Sequence, residues 1–90
     1  MADLKPLRFT RHAQDAQDAI VERELDQSWI ERTVRDPQWR RPDPRRQNVE
    51  RRFRAIPEFG DRVLRVVCSE TSDEVRILTV FFDRNAREPS

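Results

Sequence analysis

The chain holds one glycine, one cysteine, one histidine and one lysine, and no tyrosine, in 90 residues. With Gly60 alone, a Gly-rich phosphate loop is excluded. With Cys68 alone, an internal disulfide is excluded. No second histidine and no Cys–Cys pair exists to complete a zinc-type ligand set, so no metal site and no cofactor are expected. Cys68 lies mid-strand between Val67 and Ser69 and reads as a small buried apolar residue, not a reactive thiol. No apolar run approaches the roughly 20 residues that span a bilayer. The opening MADLKPLRFT lacks an apolar stretch of signal-peptide length, so a cytoplasmic protein without a membrane partner is the expectation.

What the chain has is arginine, which supplies 17 of its 18 basic residues. A GC-rich coding sequence is the plain explanation. The chemical one is that the guanidinium fork suits phosphate. Net charge is only +1, which excludes a globally basic nucleic-acid binder. The distribution is uneven, however. Residues 40–57 carry seven arginines against Asp43 and Glu50, while the segments on either side are slightly acidic. A local patch of this kind can steer a polyanion.

Ninety residues make a single domain, residues 1–90, with an expected ordered core over about 7–85 and loose ends at 1–6 and 86–90. Leu7–Phe9 predicts a short edge strand. Ala13, Ala16 and Ile20 share a helical stripe, which predicts a first helix over residues 12–24, with Gln-Asp-Ala repeated in tandem at 14–16 and 17–19. Asp26 is a good N-cap for a second helix, Gln27–Arg35, which Pro37 stops. Residues 40–48 contain two prolines and no apolar side chain and read as a loop. Three apolar runs follow, Glu50–Ile56, Arg62–Glu70 and residues 74–83, separated by turns at 58–61 and 72–73. The last is apolar on both faces, the mark of a central strand. The expected architecture is α+β, with two N-terminal helices on one face of an antiparallel three- to four-stranded sheet.

Alternation sends Arg52 and Arg54 to one side of their strand and Phe53 and Ala55 to the other. In the next strand Arg65 lies between Val63 and Val67, opposite in parity to Leu64, Val66 and Cys68. The simplest assembly places Arg52, Arg54 and Arg65 on one open sheet face, joined by Arg45, Arg46 and Arg51, as a cradle for RNA phosphates. The plainer reading is a solvated face balanced by nearby acids. His12 suits proton transfer or a structural role at a helix start. Trp39, beside Arg40 and Arg41, is either a packing residue or a base-stacking platform.

Phe9-Thr10-Arg11-His12-Ala13, Val21-Glu22-Arg23-Glu24-Leu25, Trp29-Ile30-Glu31 and Asp36-Pro37 resemble the front half of domain-of-unknown-function family 4258. Arg51-Arg52-Phe53-Arg54, Arg62-Val63-Leu64-Arg65-Val66-Val67 and the run from Val75 to Arg84 resemble its back half. The spacing from His12 to Arg23 is three residues longer than the family pattern, which the repeated Gln-Asp-Ala accounts for. In size and element order the family is similar to RelE-like and BrnT-like toxins of bacterial toxin–antitoxin pairs. That likeness implies a metal-independent ribonuclease, with RNA and a cognate antitoxin-like protein as partners. Arg52, Arg54 and Arg65 would then hold phosphate, and His12 or Glu70 would move protons. Alanine at Arg52 and Arg54 is expected to abolish growth arrest with the fold intact. The alternatives are a non-catalytic module for a nucleic acid or an acidic protein, and a homodimer formed through an edge strand.

Overall fold

A computed structural model describes residues 5–10 and 26–88. The described chain runs β1 (Leu7–Phe9), α1 (Gln27–Arg35), β2 (Trp39–Pro42), β3 (Glu50–Ile56), a 3-10 turn (Pro57–Phe59), β4 (Arg62–Glu70) and β5 (Val75–Phe82). The strands form one sheet in the order β1-β5-β4-β3-β2. β1 pairs parallel to β5, and all other neighbours are antiparallel.

Local chemistry sets α1. The Asp26 carboxylate accepts the backbone N–H of Ser28 at 2.8 Å, an N-cap bond, and the helix ends before Pro37. Ile30, Thr33 and Val34 form its buried stripe, and the Thr33 hydroxyl returns a bond to the Trp29 carbonyl. The stripe packs over β3 and β4. Beneath it lie Ile56, Leu64, Val66, Cys68, Val75, Ile77 and Val80, each at most 3% exposed. The rings of Trp29, Phe59 and Phe82 close one rim, with centroids 4.9–6.5 Å apart.

The two apolar faces of β5 have a local cause. Between Val67/Cys68 the register slips, from Val67↔Thr79 to Cys68↔Ile77, and Leu78 is the extra residue of a β-bulge. The bulge reverses the parity of the strand. Val75 and Ile77 before it, and Val80 after it, therefore all face the same core.

The described fold corrects the expected one in three respects. The sheet has five strands and is mixed, because β1 runs parallel to β5. The strand Trp39–Pro42 takes in the first three residues of the loop expected over 40–48: pairing of Trp39 with Phe53 holds it, with the rings stacked at 5.0 Å and 6°. Only one helix, α1, packs on the sheet among the described residues. The helix expected over 12–24, with His12 and Arg23, lies outside them. The edge position of β1 and the bounds of α1 are as expected, and β5 is an interior strand, second from the edge and next to β4 at the centre. No helix among the described residues is long and apolar enough to cross a membrane.

Candidate anion-binding cleft

Register decides where the arginines go. Arg52 pairs with Val66 and Arg54 with Leu64, so both lie on the face that carries α1. Arg65 pairs with Phe53 and Arg51 with Val67, on the opposite face. The single arginine face expected from the sequence is thus two half-faces. Alternation within each strand follows the sequence pattern, and the register between β3 and β4 divides the set.

On the far face Arg65 is consumed locally. It donates to Asp83 at 3.0 Å and lies over the Phe81 ring at 4.5 Å. Arg51 pairs with the well-buried Asp43 carboxylate at 3.5 Å. Trp39 is stacked on Phe53 and is not an open platform.

On the helix face Arg52 and Arg54 cap α1. The last carbonyls of a helix lack intrahelical partners and carry its negative dipole end. Arg52 donates through Nη1 to the Val34 carbonyl at 2.9 Å, and Arg54 through Nη1 to the Asp36 carbonyl at 2.7 Å. Arg54 also reaches the Asp36 carboxylate at 3.3 Å. Arg52 is 5% exposed. Its Nε donates to Glu50 and its Nη2 to Glu70 at 2.9 Å. Lys5 takes the other Glu70 oxygen, also at 2.9 Å. Arg35 in turn donates to the Lys5 carbonyl, tying that segment to α1.

This network floors two adjoining open hollows, of about 570 and 290 Å³, that share Arg40, Arg52 and Glu70. Around them stand Lys5, Arg35, Arg40 and Arg52, paired with Glu70, Glu31, Glu50 and both Glu50 and Glu70 respectively, while Arg41 borders the first hollow but shares the parity of its register partner Arg51. Arg45 and Arg46 are exposed on the next loop, which Asp43 shapes by accepting both of their backbone N–H groups. Arg41, Arg45 and Arg46 form no ion pair with a described residue.

Lys5 and Arg52 hold the Glu70 carboxyl down at about 2, so it is an anion at neutral pH and not a ready proton donor. Burial pushes the Cys68 thiol up to about 11. Among the described residues no group of three His, Cys, Asp or Glu side chains is placed to hold a metal.

Of the expected residues, the structure brings Arg52 and Glu70 into contact and sets Arg45 and Arg46 beside the same cleft. It separates Arg65 and Arg51 from it, and His12 lies outside the described residues. Lys5, Arg35, Arg40, Arg41 and Glu50 were not foreseen as members. One signal was available: Glu50 and Arg52 are two apart on a strand and therefore share a face.

No curated protein and no solved structure matches the chain, so no match supports the expected likeness to RelE-like and BrnT-like toxins. The family model described as Domain of unknown function (DUF4258) matches residues 9–82, and the chain belongs to that family.

Proposed function

We propose that the protein is a binding module for single-stranded RNA, held by phosphate contacts along β2, the β2–β3 loop and the adjoining cleft. The observation that carries this reading is the run of Arg41, Arg45 and Arg46, exposed and paired with no carboxylate among the described residues, beside the cleft. Arginines opposed by carboxylates, as at Arg65 and Arg54, have little charge left to offer. Arg41, Arg45 and Arg46 are opposed by no carboxylate among the described residues. Charge and Pro42 on β2 also protect a sheet edge from pairing with another chain. Edge protection predicts no salt-dependent affinity, so the two roles separate by experiment. Held as an anion by Lys5 and Arg52, Glu70 is ill-suited to the acid step of the catalytic reading.

The test is fluorescence anisotropy of a labelled single-stranded RNA titrated with the protein across a range of KCl concentrations. Each phosphate contact contributes about 0.7 to the log–log salt slope. The Arg41→Ala, Arg45→Ala, Arg46→Ala triple variant should therefore flatten the slope by about 2. Absence of binding at low salt, or an unchanged slope in the folded triple variant, overturns the proposal. Intact RNA after long incubation separates binding from cleavage.

A further inference from the structure

Arg52 is anchored three ways, and only one of its anchors is detachable. Val34 offers a main-chain carbonyl, fixed by the helix, and Glu50 sits in the same strand two residues away. Both remain if Glu70 leaves. Glu70 is different: it is the last residue of β4, its side chain is 41% exposed, and it faces the open cleft. Its two oxygens are divided between two donors, Oε1 to Arg52 and Oε2 to Lys5. A phosphodiester presents the same set, one negative charge shared by two unbridged oxygens. Arg40, 60% exposed and paired with Glu50 at 3.3 Å, lines both hollows.

We infer that Glu70 is an internal occupant of a phosphodiester cradle formed by Arg52 and Lys5, and that a backbone phosphate of the bound strand displaces it. This rests on the RNA-binding reading and adds a gate to it. Arg52 waits in place while Glu70 swings to solvent, so the cradle is preorganised and guarded by one carboxylate. An anion that cannot supply two oxygens to both donors gains little by displacing Glu70. The arrangement therefore selects against weak monodentate anions. The low titration range of Glu70 in the free protein agrees with this geometry.

Two probes test the gate. The first is 5′-hydroxyl single-stranded RNA, whose only phosphates are diesters. Glu70→Gln keeps an acceptor for Arg52 but removes the competing charge, and it should bind this RNA about tenfold tighter than the parent at fixed salt. Asp73→Asn loses the same charge in an exposed turn outside the cleft and should change affinity less than about twofold. Lys5→Ala should weaken binding. The second probe is inorganic phosphate, followed by the carboxyl carbon-13 signal of Glu70 in the unmutated protein. Saturating phosphate should move the Glu70 titration from about 2 toward the ordinary 4.5. Equal affinity of Glu70→Gln and Asp73→Asn, or a Glu70 titration unmoved by phosphate, overturns the gate. RNA binding that is indifferent to Glu70 removes the gate and leaves the binding module. A phosphate-shifted Glu70 titration without any RNA affinity removes the module and leaves the cradle.

Discussion

Arg52, in the middle of β3, donates to the Val34 carbonyl in the last turn of α1 at 2.9 Å. One buried guanidinium thus serves as a helix cap and as the floor of the cleft. The dual use has a consequence for mutagenesis. Arg52→Met removes the donor and leaves the Val34 carbonyl and two carboxylates facing the gap, an expected loss of about 2–4 kcal/mol. Arg41→Ala, on the exposed edge, should stay within about 0.5 kcal/mol. Urea titrations of the two variants check the contrast. Growth phenotypes of Arg52→Ala with Arg54→Ala consequently report on the fold as much as on function. The expectation that this pair leaves the fold intact is not supported by two helix-capping arginines.

Acid should weaken the fold through two carboxylates. Arg32 holds Glu58 down at about 2 through a two-pronged bond at 3.0 and 2.8 Å, and Lys5 and Arg52 hold Glu70 at about 2. Each folded-state value lies below the ordinary 4.5. The unfolded chain therefore takes up protons first as pH falls. The stabilisation is complete above about 4.5 and disappears as pH drops toward 2. Both side chains are more than a third exposed, so solvent screening keeps each contribution small. Thermal melts between pH 7 and 2 should fall most steeply in that window. Glu58→Gln should lower the melting temperature at pH 7 and bring the two proteins together near pH 2. A constant difference at all pH values contradicts the assignment.

Legibility from sequence follows the range of the interaction that decides each feature. α1 was legible because Asp26 and Pro37 act within one turn. β3 and β4 were legible because parity is local. β2 was not, since two arginines and a proline carry no strand signal and only the distant partner Phe53 holds Trp39 in place. The Leu78 bulge was hidden for the opposite reason: apolar residues on both sides of β5 fit either parity. The arginine site failed at the same level. The turn over Pro57–Phe59 sets the register of β3 on β4, and that register puts Arg52 and Arg65 on opposite faces.

That turn also makes a sharp prediction. Gly60 has φ +67° and Asp61 φ +58°, two left-handed residues in succession, after which Asp61 N–H closes onto the Ile56 carbonyl at 3.0 Å. A Cβ at Gly60 meets nothing within 4 Å. Gly60→Ala therefore carries no steric clash with a neighbour, only the backbone cost of the left-handed region, about 1 kcal/mol. The urea midpoint should fall accordingly, with the denaturant slope unchanged. A neutral result would mean that the turn relaxes to another form.

Cys68 offers a probe of how the sheet opens. It is 0% exposed, and burial pushes its thiol up to about 11. Thiol–disulfide reagents attack through the thiolate, so the native residue lacks both access and the reactive form. It sits on β4, flanked by β3 and β5, at the bulge between Val67/Cys68. Labelling then requires an opening that separates β4 from α1 and exposes Leu64 and Val66 with it, a cooperative event close in free energy to global unfolding. The labelling rate with an aromatic disulfide at pH 8 should be slow. With added urea it should rise in parallel with the unfolding equilibrium. Rapid labelling of the folded protein would show that the bulge opens by itself, and would place the weakest part of the sheet at Leu78 rather than at its edges.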